Sequence, residues 1–191
     1  RDNPRYNKPT SQRTLTRYLH TLNNVFTYAC KNRLISFNPC AFVTLPKCLP
    51  PKKRNALTME EIGKIESLDH KAVLPALIMV YCGLRRGELT ALQWADVDLQ
   101  NKTITVNKAY DFKKKQLKST KTVSGIRTVP IPEKLSDRLE SARIGKKKTD
   151  YVICNDEGKM MTAAAWNNFL DGLTARTGIK FGWHMLRHTY A

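Results

Sequence analysis

At 191 residues, 41% of them hydrophobic, the chain can bury one core and carry a smaller appendage, and no apolar run in it reaches transmembrane length. Its 33 lysines and arginines against 16 acids give a net charge of +17, concentrated in two zones: residues 1–54 hold eleven bases against one acid, and residues 111–148 twelve against four. Such zones point to nucleic acid as partner and away from a membrane surface, since neither carries an amphipathic helix with exposed aromatics.

Residues 1–10 are polar and contain proline, which predicts a loop. Ser11 is the N-cap expected for a helix to about Asn32, with Leu15, Tyr18, Leu19, Leu22, Val25, Phe26, Ala29 and Cys30 recurring at helical period. Arg13 and Arg17 fall off that stripe and make a basic face. One helix cannot bury such a stripe alone, so further helices are expected before residue 1. The Asn38-Pro39 step breaks the element. Residues 1–47 are therefore read as the remnant of a helical domain. Residues 48–56 form a basic, proline-rich linker in which Lys52, Lys53 and Arg54 would track a phosphate backbone. No signal peptide opens the chain, and the five cysteines form no CxxC pair, so they read as free thiols in a reducing compartment.

The second domain, residues 57–191, opens with a capping box, Thr58 to Glu61. Residues 72–82 are almost wholly apolar, which predicts a buried helix ended by Gly83. Arg85, Arg86, Gly87 and Glu88 follow at once. An arginine in a glycine-flanked corner between core helices is costly to bury without an anion, and Glu88 could hold Arg85 from one side. That pair could tidy a helix junction or aim an arginine at a phosphate. Residues 96–99 and 103–106 alternate as strands around a turn. Residues 109–122 are polar and lysine-rich, with Lys113, Lys114, Lys115 and Lys118 as candidate contacts to DNA. RTVPI at 127–131 reads as the next strand after a Ser124-Gly125 turn, which puts Lys121 at or beside a hairpin. A helix over 132–143, a basic loop at 145–148 and a helix from Thr162 to Arg176 with Gly178 after it complete the pattern. The class is mainly α with a small antiparallel sheet (α+β).

The last segment, WHMLRHTYA, reads as helical, with His184 and Arg187 three residues apart on one face. His188, four from His184, raises a zinc reading. A zinc helix of the HExxH kind would place Glu where Met185 stands, and no carboxylate or cysteine cluster supplies further ligands. No metal and no cofactor is expected, and His188 is read as a core histidine.

Together, GLRRGELTALQWADVD and HMLRHTYA resemble the two signature boxes of the tyrosine recombinases, the phage-type integrases. The segment between them, STKTVSGIRTVPIP, resembles the family's lysine-bearing hairpin. The resemblance implies a catalytic set of Arg85, Lys121, His184 and Arg187, with Glu88 orienting the site. It implies a fold shared with type IB topoisomerases and a helical DNA-clamping domain for residues 1–47. The implied activity is site-specific DNA recombination by metal-independent cleavage and rejoining through a covalent 3′-phosphotyrosine. The implied partners are duplex recombination sites, a homotetramer on DNA and accessory DNA-bending or directionality proteins. The implied location is the nucleoid in the interior of a host cell, away from any membrane. A type IB topoisomerase-like enzyme, or a DNA-binding protein of this fold without cleavage, stands as the alternative. The nucleophilic tyrosine of the family is expected downstream of Ala191, so the chain is read as an incomplete recombinase. Tyr190, three residues past Arg187, is assigned to core packing.

Overall fold

The computed structural model describes residues 11–45, 56–119, 126–180 and 182–190. Lys52, Lys53, Arg54 and Lys121 lie outside the described residues, as do nearly all of the linker and the Ser124-Gly125 turn. The chain divides into two compact units, Arg1–Arg54 and Asn55–Ala191.

In the first unit, α1 spans Gln12–Lys31, and the Ser11 hydroxyl accepts a hydrogen bond from the Thr14 N–H at 3.3 Å. The cap is the one the sequence predicts. The apolar stripe of α1 buries no residue and Tyr18, near its start, is 62% exposed, so this basic zone does carry an amphipathic helix with exposed aromatics, contrary to the sequence reading. The Asn38-Pro39 step does more than break the chain. Asn38 caps a 3-10 turn, Pro39–Phe42, and its Nδ2 donates to Asn23 Oδ1 at 2.9 Å and Thr27 Oγ1 at 3.1 Å on the flank of α1.

The second unit opens with α2, Met59–Glu66, where both halves of the Thr58–Glu61 capping box form at 2.8 and 3.2 Å. Next comes α3, Val73–Cys82, with eight of its ten residues buried, and Gly83 ends it in the left-handed region at φ 62°. The short helix α4, Arg86–Ala91, follows, then a 3-10 turn at Trp94–Asp96. Among the described residues five strands come next: β1 Val97–Asp98, β2 Thr103–Val106, β3 Lys108–Asp111, β4 Gln116–Ser119 and β5 Arg127–Pro130. Three helices close the unit: α5 Glu133–Arg143, α6 Ala163–Thr177 and α7 Trp183–Thr189.

The strands form two antiparallel sheets, where the sequence reading expected one. One has the order β1-β2-β5, with Ile104 paired to Val129; the other is the β3–β4 hairpin, with Ala109 paired to Lys118. The hairpin escaped notice because its turn has no glycine or asparagine. Lys115 takes the positive φ of 51° instead. At the centre of the core α3 packs against α2, α5 and α7. Trp166 of α6 and Trp183 of α7 meet edge to face beneath it, 4.7 Å between centroids. This arrangement sets the C-terminal end of α3, the start of α4, β5 and α7 side by side.

Candidate active site

Glu88 is the centre of that corner. It lies at the third position of α4, and its Oε2 accepts the backbone N–H of Arg85 at 2.8 Å, which closes the first turn of the helix. The reciprocal half of a capping box cannot form, because arginine has no acceptor. Oε1 accepts from Arg85 Nη1 at 2.9 Å and from Arg127 Nη1 at 3.0 Å, and Oε2 accepts from Arg127 Nη2 at 2.6 Å. Four donors fill the roughly four lone-pair sites of a carboxylate, so Glu88 has no capacity left to act as a base. Arg187 Nη1 stands 3.8 Å from Oε2 and donates to the Gly83 carbonyl.

The burial is the reverse of what the sequence suggested. Arg85 is 60% exposed, whereas the Glu88 side chain is only 6% exposed, so the buried charge is the acid and the arginines surround it. Arg127 and Arg187 are intermediate, at 33% and 29%. Burial pushes the Glu88 carboxyl up, but the hydrogen bonds from Arg127 and Arg85 and the charge of Arg127 outweigh it, holding the group below its ordinary range. Glu88 in turn raises Arg127. Burial lowers Arg187, and the neighbouring charge of Arg85 lowers it further. All three guanidinium groups stay charged, since arginine is not deprotonated in proteins. Against one carboxylate they leave a surplus of two positive charges around a partly open corner, an arrangement suited to an anion with several oxygens.

Three further features hold the corner. Gly87 lets the carbonyl of Tyr110 in β3 approach α4 closely. Arg86 stacks over Phe112, 4.3 Å from the ring centroid, and Phe112 meets Tyr110 edge to face, so the second of the two adjacent arginines serves packing. Tyr190 lies with its ring against Gly83, where an added Cβ would fall 2.5 Å from Cδ1. It is 50% exposed, so it rests on a backbone corner and is not part of the core.

Of the residues expected from sequence, Arg85, Glu88 and Arg187 come together. His184 is exposed one turn before Arg187 on α7, and its ring has no hydrogen bond among the described residues. His188 is exposed as well, contrary to the core reading. It lines a cleft of about 380 Å³ with Gly83, Arg127, Arg187 and Tyr190. Arg13 and Arg17 are exposed on α1, and Lys113, Lys114 and Lys115 are exposed in the hairpin turn. Lys118 is tied to Asp111 at 2.5 Å. That bond, with the backbone N–H groups of Lys114 and Lys113, brings the Asp111 carboxyl down to about 2. Among the described residues no group of three or more His, Cys, Asp or Glu could hold a metal ion.

Arg127 is the residue sequence reasoning missed. The signal was present: in RTVPI, Arg127 shares a strand face with Val129 and Ile131, both buried. An arginine on the core-facing side of a strand needs an anion beneath it.

A model of the phage integrase family matches residues 52–191. "Tyrosine recombinase XerC-like" of Caldanaerobacter subterraneus subsp. tengcongensis is 27% identical over 223 residues, covering 97% of this chain and 57% of the relative. "Prophage integrase IntR" of Escherichia coli is 30% identical over 228 residues, covering 100% of this chain and 53% of the relative. The chain thus spans little more than half the length of these two relatives. Among solved structures, the Tn1549 transposon integrase (aa 82–397) in complex with circular intermediate DNA superposes with a TM-score of 0.74 at 20% identity, over 95% of this chain and 66% of that one. The lambda integrase (75–356) dimer bound to a COC′ core site superposes at 0.62 with 21% identity, over 90% and 63%. These two likenesses show the fold, and the family match over most of the chain shows that it belongs to the phage integrase family, the tyrosine recombinases.

Proposed function

We propose that the protein carrying this chain is a site-specific DNA recombinase that cuts and rejoins duplex DNA through a covalent 3′-phosphotyrosine, without a metal ion. The observation that carries the reading is the cluster of three guanidinium groups on one saturated, buried carboxylate. A phosphodiester bears one negative charge, and attack on phosphorus builds a second on its non-bridging oxygens. A surplus of two fixed positive charges therefore matches the transition state better than the ground state. Arg85 and Arg187 are the donors to those oxygens, their planar forks suited to two-point contact. As the tyrosine oxygen gives up its proton to His184 or solvent and bonds to phosphorus, the bond to the 5′ oxygen breaks and that oxygen takes a proton from Lys121, the general acid. His184 hydrogen-bonds the phosphate or assists the nucleophile.

Several things support the DNA partner: the exposed Arg13, Arg17 and Lys113 to Lys115, the bases at Lys52, Lys53 and Arg54, and structural relatives determined in complex with DNA. Residues 1–47 are read as part of a helical DNA-clamping domain and residues 48–56 as its linker to the catalytic domain, 57–191. A homotetramer on paired sites, helped by DNA-bending or directionality proteins at the nucleoid, belongs to the same proposal.

The nucleophile is assigned to a tyrosine downstream of Ala191. The test is a suicide substrate, a duplex nicked so that cleavage traps the protein on DNA. The 191-residue chain alone should bind the duplex and yield no adduct on a denaturing gel. The chain extended by its native downstream segment should yield one, in excess chelator as well as in magnesium. An adduct from the 191-residue chain that disappears in Tyr190→Phe would place the nucleophile at Tyr190 and overturn the assignment. Cleavage that requires magnesium would overturn the metal-free mechanism.

A further inference from the structure

We propose that Arg127 is a positioning residue for strand cleavage, locking the Glu88 carboxylate so that Arg85 can present its remaining N–H groups to the scissile phosphate. The inference rests on the cleavage reading above and adds a residue to it.

The two arginines bonded to Glu88 use it differently. Arg127 bridges both oxygens, Nη1 to Oε1 at 3.0 Å and Nη2 to Oε2 at 2.6 Å. Two parallel bonds from a planar fork fix both the position and the plane of the carboxylate. Arg85 commits only Nη1, to Oε1 at 2.9 Å, and at 60% exposure its guanidinium bonds no other acceptor among the described residues. With its guanidinium held by one bond, at the N-cap of the six-residue α4, Arg85 can be aimed no better than the carboxylate it leans on. Arg127 supplies the fixed end. It opens β5 with its Cα paired to Val106 of β2, and Val106 is buried in the core, so its backbone is placed by the sheet and not by α4. The fork thus fastens the start of α4 to the sheet.

Lysine keeps the charge of Arg127 but cannot span both oxygens. Arg127 also lies six residues after Lys121 in the sequence, so the strand it anchors directly follows the segment bearing the proposed general acid.

The experiment compares wild type, Arg127→Lys, Arg127→Gln, Glu88→Gln and the Arg127→Lys/Glu88→Gln double variant in the full-length recombinase. Each is measured for Tm, duplex Kd, single-turnover cleavage of a suicide substrate, and the pH profile of that rate. Arg127→Lys should keep its fold and its Kd and cleave roughly 10- to 100-fold more slowly, the scale of a misplaced catalytic group. The acid limb of its rate should move to higher pH. With the fork gone, burial acts on the Glu88 carboxyl against only Arg85 and the more distant Arg187, so Glu88 takes a proton sooner. The double variant should be no slower than the slower single variant, because both changes break one linkage. Arg127→Gln should slow cleavage at least as much as Arg127→Lys.

A wild-type rate and acid limb in Arg127→Lys would overturn the proposal. So would a rate loss that merely follows lost Kd or lost folded fraction, or one that multiplies with Glu88→Gln. Arg85→Ala separates this result from the parent reading. If Arg85→Ala cleaves normally, the phosphate assignment itself fails, whereas an inactive Arg85→Ala beside a normal Arg127→Lys removes only the role of Arg127.

Discussion

The Cα of Gly87 sits so close to the carbonyl oxygen of Tyr110 that a Cβ on it would lie 2.6 Å away. The obstacle is backbone, so no side chain can swing aside to relieve it. In an ordinary helix Ala would be favoured over Gly by about 1 kcal/mol. Here that gain is outweighed, because α4 and β3 must part, and overpacking of this kind costs about 1–3 kcal/mol. Gly87→Ala should therefore lower the urea midpoint and slow cleavage more than it weakens DNA binding, since α4 carries Glu88. Unchanged stability and cleavage would mean that the contact between α4 and β3 is not needed.

The arginine cluster makes stability depend on acid. The folded-state value of Glu88 lies below its ordinary 4.5, so its ionised form is favoured by folding. That contribution is fully present above the unfolded value, near pH 4.5, and is lost as pH falls through the lower folded value. Glu88→Gln should be less stable than wild type at neutral pH, by on the order of 3 kcal/mol, because three arginines lose their shared counter-charge. The gap should narrow as pH drops below about 4, and Tm measured against pH for both proteins checks it. A gap constant from pH 7 to pH 3 would contradict the ion-pair account.

In the full-length recombinase, Arg85→Ala and Arg187→Ala should each abolish detectable strand cleavage while leaving duplex affinity within a few-fold of wild type. Loss of one transition-state donor costs about 10²–10³ in rate, and more when two act as a unit. Affinity is spread over many other bases. Wild-type cleavage by either variant on a suicide substrate would remove that arginine from the mechanism.

Duplex binding should weaken steeply with salt. The two basic zones allow a footprint of roughly six to ten phosphates, which gives a log–log slope of about −5 to −9. A titration of Kd between 50 and 200 mM salt, about a fourfold range, is sufficient to read it. A slope near zero would mean that neither zone meets the backbone.

The legible parts of this fold were those written in local chemistry. Ser11, Thr58 and Thr162 each accept a backbone N–H at the helix start where the sequence places them, and Gly83 and Gly178 end helices in the left-handed region. The β3–β4 hairpin was not legible, because Ala109, Tyr110 and Leu117 are its only apolar residues, too few to show a period, and its turn depends on a lysine at positive φ. The site divides the same way. Arg85 and Glu88 are three residues apart and could be paired by inspection. Arg127 reaches Glu88 across 39 residues through a strand pairing that spacing does not encode. His188 was misread because a short helix at the edge of the core has a wet side that its pattern of apolar residues does not reveal.

The docking of α7 on the end of α3 has a consequence for synthesis. Arg187 bonds the carbonyl of Gly83 across 104 residues, and Thr189 accepts the N–H of Leu57 across 132. Both ties close very long loops, and neither can form until residues 187 and 189 have been synthesised, after α2 to α6. Until then Arg85 and Arg127 share Glu88 without Arg187. The positive surplus of the corner is therefore one charge short until α7 docks against Gly83.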